Sequence, residues 1–292
     1  VEAMLSSFAG KKCKTLVLSN GVYGERIRQI LDLHGMPVRI LSSGLGHFPS
    51  TGEIEKALRS DHTIRAIAMV HHETSLGMLN PIGKVARLAR RYKKIFLVDA
   101  VSSLGAEKVD VKNIDYLAGS AGKCLHGYPG VSFVLVSKKE IKKNRGGIPR
   151  TLYLDLWNTL RRQEVHDTPF TPAVQLFYAF EEALKELEAQ GLKNRLQLYK
   201  ERSEMLGACF QKVGLRFLVE KRSRSHVLTS LWLPDGLSYG KLHDALKKHG
   251  FVIYAGQSSL AGRIFRISNL GDMPEGDIRR FNSVLRKILV GR

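Results

Sequence analysis

The stretch TIRAIAMVHHETSLGMLNPIGKVARLARRYKKIFLVDA, Thr63 to Ala100, decides the fold. Its opening, TIRAIAMVHHE, is an unbroken apolar run that predicts a strand. PIGKVARLARRYK follows as an amphipathic helix with Pro81 at its start, where the missing N–H of proline costs nothing. KIFLVDA then reads as a second strand, apolar on both faces until Asp99. Strand, helix and strand in this order predict a parallel pair joined by a crossover, in a sheet covered on both sides.

Working outward from that unit, the alternation continues. CKTLVLS predicts a strand, GERIRQILDLHG a helix closed by Gly35, and PVRILSS another strand. TGEIEKALRS predicts a helix opened by Thr51, with Glu53 in its first turn. IDYLAGS and VSFVLVS are further strands. KKEIKKNRGGIPR, Lys138 to Arg150, reads as a basic surface loop, and Pro172 to Leu215 as largely helical with a stop at Gly191. From Arg216 the pattern changes to a small α+β unit. Strands are expected at HVLTSLWLP, FVIYAG and RIFRIS, with helices at SYGKLHDALKKHG and from Pro274. The expected organisation is an α/β protein, with a large domain over 1–200, mostly parallel sheet with helices on both faces, and a smaller α+β domain over 201–292.

The chain has 292 residues, enough for a sizeable core, and ordinary proportions of apolar (43%) and charged (25%) residues. No apolar run approaches membrane-spanning length, and no signal peptide is visible. Cys13, Cys124 and Cys209 are odd in number and widely spaced, which predicts reduced thiols in a cytoplasmic protein and no metal site. The formal charge of +19 raises nucleic acid as a partner. The basic residues are scattered, however: Lys11, Lys12 and Lys14, then Arg90, Arg91, Lys93 and Lys94, then Lys138, Lys139, Lys142 and Lys143, then Lys221, Arg222 and Arg224. No nucleic-acid motif accompanies them, so the expectation is no nucleic-acid partner and a positive field that attracts anionic substrates.

Ligands of a parallel sheet bind beyond the carboxyl ends of its strands. Three strands end in polar residues there: Glu73 and Thr74, Asp99, and the segment SAGKCLHGYPG from Ser120, which carries Lys123 and a Gly-Pro-Gly-like turn. An aspartate that closes an apolar strand needs a partner, because an unpaired buried charge is costly. A lysine and a carboxylate around one crevice suit pyridoxal phosphate: the lysine binds the aldehyde as a Schiff base, and the aspartate keeps the pyridine nitrogen protonated.

With these residues goes a family resemblance. VEAML, LSNGVYGERIRQI, HHETSLGMLNPI, VDAVSSLGA, SAGKCLHGYPG, FTPAV and FRISNLGDM occur in order across almost the whole chain. In them the chain resembles the class V, fold-type I aminotransferases, and within these the branch that uses 2-aminoethylphosphonate and pyruvate. The resemblance implies that Lys123 carries the cofactor and moves the proton, that Asp99 pairs with the pyridinium nitrogen, and that Thr74 bonds the phenolic oxygen. It implies that Tyr23 stacks on the ring, that Ser120 contacts the phosphate, and that Thr171 reaches the phosphate of the neighbouring subunit of a homodimer. Arg266 is implied as the fork for the substrate carboxylate. Transfer of the amine from 2-aminoethylphosphonate to pyruvate is the implied activity, by a ping-pong route. The alternatives are an alanine– or serine–glyoxylate aminotransferase, or a catalytically weakened relative. The resemblance also places a Gly/Ser/Thr-rich phosphate cup immediately before VEAML, where this sequence begins, and gives the family an asparagine, a cysteine, a glutamine and a glycine where Gly122, His72, His126 and Ser268 stand here.

Overall fold

The computed structural model describes residues 1–8, 13–144 and 149–290; Lys11 and Lys12 of the first basic cluster, and residues 145–148 of the basic stretch, lie outside the described residues. The chain opens with α1 (Glu2–Ser7), β1 (Lys14–Ser19), α2 (Val22–Leu33), β2 (Val38–Ser42), α3 (Thr51–Ser60) and β3 (Ile64–Val70). A small hairpin, β4 (His72–Glu73) and β5 (Met78–Leu79), leads into α4 (Ile82–Arg91) and β6 (Ile95–Asp99). β7 (Tyr116–Ser120), β8 (Ser132–Val136), α5 (Lys138–Asn144), α6 (Leu156–Glu164), α7 (Val174–Gln190) and α8 (Leu192–Lys212) follow. The chain closes with β9 (Leu228–Trp232), α9 (Tyr239–Lys247), β10 (Tyr254–Ala255), β11 (Ile264–Ser268) and α10 (Glu275–Val290). None of the described helices is long and apolar enough to cross a membrane.

The main sheet has the order β2-β1-β3-β6-β7-β8 and is parallel through β7. Two apolar layers cover it. Ile54, Val85 and Phe96 belong to one, and Phe8, Ile27 and Tyr116 to the other. This mostly parallel α/β architecture is the expected one.

Local chemistry moves several expected boundaries. The cap of α3 is Ser50, not Thr51: the Ser50 hydroxyl accepts the Glu53 N–H at 3.2 Å, and the Glu53 carboxylate accepts the Ser50 N–H at 2.7 Å. β3 stops at Val70 rather than Glu73, because the Asn80 amide donates to the Val70 carbonyl and His72–Glu73 folds back on Met78–Leu79. β8 is antiparallel to β7, since the connection 121–131 contains no crossover helix. The start of the expected basic loop at Lys138 is helical, with the Ser137 hydroxyl accepting the Glu140 N–H. α6, which the apolar pattern does not announce, is capped by Asp155 and pinned by buried Trp157, whose indole donates to the Ser7 carbonyl.

The second sheet, β10-β11-β9, packs with α9 and α10 around Phe210, Leu231, Phe265 and Phe281. Residue 200, the expected division, falls within α8. That helix touches both parts: Tyr199 packs with Ala106, Cys124 and Val227, and Phe210 belongs to the core of the smaller sheet.

Candidate active site

At the carboxyl edge of the main sheet, Val70 of β3 and Ala118 of β7 flank Asp99 of β6 in register. Backbone bonds hold that position: His71 N–H donates to the Asp99 carbonyl at 2.8 Å, and Ala100 N–H to the Ala118 carbonyl at 3.0 Å. The Asp99 carboxylate is buried and accepts the Val101 N–H at 3.0 Å. No lysine or arginine reaches it within ion-pair distance among the described residues, and burial pushes its pKa up. A buried carboxylate of this kind calls for a cationic hydrogen-bond donor.

Lys123 stands on the turn beyond β7, and its ammonium is exposed with no hydrogen bond or ion pair among the described residues. Its neighbours are anchored. Cys124 is buried and its thiol donates to the Ser102 carbonyl, three residues past Asp99. The His126 N–H closes the turn on the Lys123 carbonyl at 3.0 Å. Gly122 leaves no room for a side chain, because a Cβ there lies 2.8 Å from Pro129 Cα. An asparagine in its place therefore requires a different path for the Gly127–Gly130 turn.

Tyr23 is set by a residue to which the sequence reading gave no role. Glu73 is fully buried and its carboxylate accepts the N–H of Tyr23 at 3.2 Å, of Gly24 at 3.0 Å and of Ser75 at 3.3 Å, as well as the Ser75 hydroxyl. It thus caps the amino end of α2 from another strand. Gly21 makes this possible: a Cβ there would lie 2.5 Å from Glu73 Cδ. The available signal was an acid in an apolar strand end together with a glycine-led helix start, NGVYG.

Next to Glu73, the Thr74 carbonyl accepts from Arg266 Nη1 at 3.0 Å, while Arg266 Nε donates to the Ala255 carbonyl at 2.9 Å. Arg266 is nearly buried, and burial pulls its pKa down. The Arg26 guanidinium lies 4.8 Å from the Tyr23 ring centre. A cavity of about 510 Å³ opens beside these residues, lined by Val22, Arg26, Ser75 and Gln257 among others.

The structure thus brings Tyr23, Thr74 and Arg266 together and sets Asp99 and Lys123 on the same sheet edge. Ser120 ends β7 and donates to the Val131 carbonyl at 3.4 Å. Thr171 is exposed before α7, and no contact joins it to the others among the described residues. The two substituted positions with buried partners are accommodated. His72 Nδ1 lies 3.0 Å from the Ser102 carbonyl, although its Nε2 is buried without a partner, and Ser268 donates to the Val227 carbonyl at 3.1 Å. A cofactor with a protonated ring nitrogen for Asp99 and an aldehyde for Lys123 gives the buried carboxylate a hydrogen-bond donor and the exposed amine a reaction partner, so the residues fit pyridoxal phosphate.

The class V aminotransferase family model matches residues 7–281. A 2-aminoethylphosphonate–pyruvate transaminase of Bacillus mycoides is 36% identical over all of this chain and 81% of its own length. One from Bacillus cereus is 37% identical with the same coverage. Among solved structures, an alanine–glyoxylate aminotransferase from Nostoc is similar at TM-score 0.92 and 28% identity, over 99% of this chain and 78% of that one. A ureidoglycine–glyoxylate aminotransferase from Bacillus subtilis is similar at TM-score 0.93 and 25% identity, over 99% and 76%. With its sheet edge, lysine and buried aspartate, the chain belongs to the class V aminotransferases, which depend on pyridoxal phosphate.

Proposed function

We propose that this aminotransferase takes the amino group of 2-aminoethylphosphonate, leaving phosphonoacetaldehyde, and delivers it to pyruvate to give alanine. One observation carries the reading: relatives named for that reaction match the chain over its whole length. When bound, pyridoxal phosphate supplies a reactive aldehyde and an electron-accepting ring. Asp99, buried and without an ion pair to a lysine or arginine among the described residues, holds the proton on the ring nitrogen. Lys123, on its anchored turn, carries the cofactor and moves the proton to and from the substrate carbon. Tyr23, fixed through its backbone by Glu73, stacks on the ring, and the Thr74 hydroxyl bonds the phenolic oxygen.

Arg266 binds the carboxylate of pyruvate. Its guanidinium is aimed by the Ala255 and Thr74 carbonyls, and a fork of donors suits a planar carboxylate better than an ammonium does. Arg26 supplies positive charge to the adjoining cavity, as a phosphonate donor requires. Ser120 and, from a second copy of the chain, Thr171 contact the phosphate. A homodimer is supported by exposed apolar side chains close to Thr171 in sequence, Phe170, Val174, Phe177 and Tyr178, with exposed Tyr153 packed on Phe170. Such a site uses two copies and small amine and oxo-acid substrates.

The alternative is transfer from alanine or serine to glyoxylate, favoured by the fold likeness to the Nostoc enzyme. An amino-donor panel separates them. The proposal expects rapid alanine formation from 2-aminoethylphosphonate and pyruvate; turnover restricted to alanine or serine with glyoxylate overturns it.

A further inference from the structure

The active-site edge leaves most of the chain's positive charge unused. Two basic clusters, Arg90 to Lys94 and Lys138 to Lys143, lie far apart in sequence, and Lys112 is one of three lysines between them. Folding gathers them. At the amino ends of β6 and β7 a cavity of about 400 Å³ is lined by Arg90, Lys93, Lys94, Lys112, Lys139 and Lys143. β6 separates it from Asp99 by roughly 13 Å of strand. Its size is within the range of small-ligand sites.

The acids in its wall are already engaged. Asp115 accepts the Phe96 N–H at 2.9 Å and the Ser137 hydroxyl at 3.5 Å, and Glu140 is buried and pairs with Lys143 at 3.4 Å. Arg90 donates to Asn113 at 2.8 Å and Lys94 to the Ile64 carbonyl at 2.6 Å. The ammonium groups of Lys93, Lys112 and Lys139 make no hydrogen bond or ion pair among the described residues. Three uncommitted cations therefore face one concave space.

Backbone conformation adds an independent indication. α4 ends in a Schellman turn: Lys94 N–H donates to the Ala89 carbonyl at 2.8 Å, and Lys93 N–H to the Arg90 carbonyl at 3.1 Å. The residue at its left-handed position is Lys93, with φ +54°, where glycine or asparagine is the usual occupant. The turn thus sets a lysine, at a position that glycine would occupy without strain, on the rim of the cationic cavity.

We propose that this cavity binds a compact polyphosphate chain, either free or as part of a nucleotide. Lysine ammonium groups on flexible stems suit the dispersed charge of such a chain. Only Ile95 and Ile114 among the lining residues are apolar, and none is aromatic, so the phosphates are what the cavity recognises and no base is stacked.

The test is calorimetric titration of the cofactor-loaded enzyme, whose own phosphate site is filled, with tripolyphosphate, ATP and a single-stranded oligonucleotide. Tripolyphosphate is expected to bind, and Lys93→Gly combined with Lys112→Ala and Lys139→Ala to weaken it about 10- to 100-fold. Amino transfer by that variant should be unchanged. Lys93→Gly alone relieves the left-handed turn, so weaker binding in it reports the lost ammonium and not unfolding. ATP binding as tightly as tripolyphosphate shows that the chain is also read within a nucleotide, and weaker ATP binding that it is read free; both support the site, whereas much tighter ATP binding shows a contact to the base and overturns a site that reads phosphates alone. Undiminished binding by the triple variant, no binding of either phosphate, or tighter binding of the oligonucleotide than of tripolyphosphate overturns the proposal.

Discussion

The Tyr199 hydroxyl lies 2.8 Å from His126 Nε2 and also accepts the Gly271 N–H at 3.2 Å. Burial holds His126 neutral: protonated at Nδ1 it accepts the Tyr199 O–H, and protonated at Nε2 it donates to the same hydroxyl, whose oxygen can accept two bonds. Through this one group α8 ties the turn that carries Lys123 to the segment that follows Arg266. Tyr199→Phe leaves His126 and the Gly271 N–H without a partner and should cost about 1–3 kcal/mol. Activity should fall with it, whereas His126→Gln, whose amide can accept from or donate to the same hydroxyl, should retain most of both. Thermal unfolding together with separate kcat and KM values checks the pair.

The same neutrality sets a pH response. Burial, assisted by Arg195 and Arg202, pulls the pKa of His126 down to about 4, and burial pulls that of His71 down to about 4 as well. Between the ordinary value of 6.5 and these values the unfolded chain binds protons that the folded chain refuses. Stability should therefore fall as pH drops through this window, and His126→Gln should make the fall shallower. Unfolding midpoints measured across the window decide it; an equal slope in the variant counts against a neutral His126.

His226, paired with Glu107, responds in the opposite sense, at higher pH. The Glu107 carboxylate accepts His226 Nδ1 at 2.9 Å, His226 N–H at 2.6 Å and the Ser225 hydroxyl at 2.9 Å, joining the main sheet's loops to the smaller unit. The bond to Glu107 raises the pKa of His226, while burial opposes it; burial pushes Glu107 up, but His226 more than reverses this. The His226 contribution is complete below its ordinary 6.5 and is lost as pH rises through the raised value. The Glu107 contribution is present above 4.5 and is lost as pH falls. His226 is partly exposed, so its replacement by alanine should remove only about 1 kcal/mol at the optimum between these limits. The difference in unfolding midpoint between wild type and variant should shrink in alkaline buffer.

Capping of α2 by Glu73 predicts an effect on Tyr23 without any contact to its ring. Glu73→Ala orphans the Tyr23 and Gly24 N–H groups and should destabilise by about 1–3 kcal/mol. Gly21→Ala drives a Cβ into the Glu73 carboxylate and should cost a similar ~1–3 kcal/mol. Calorimetric unfolding of the two variants and their double mutant should show strong non-additivity, since both disrupt one cap.

At the reacting edge, Lys123→Ala should abolish turnover, and Asp99→Asn, which keeps shape and removes charge, should lower it on the order of a hundredfold or more. Arg266→Lys should raise the KM for pyruvate while changing that for the amino donor little. Steady-state kinetics with each substrate varied separately checks all three.

The amino-acid order by itself determined the alternation of strands and helices, and with it the edge where Asp99 and Lys123 stand. Apolar runs such as KIFLVDA must be buried along their length, so the first polar residue after them marks the strand end. It also marked the start of α3 at Thr51 with Glu53 in its first turn, one residue after the true cap, Ser50. Only the tertiary structure decided that β8 runs antiparallel, that Glu73 serves α2, and that Arg266 meets Thr74 from 192 residues away. Only folding turned scattered lysines into one cationic cavity. Periodicity and capping are set by side chains a few residues apart, whereas these contacts depend on strand order, loop length and the packing of distant segments against one another, which neighbouring residues do not encode.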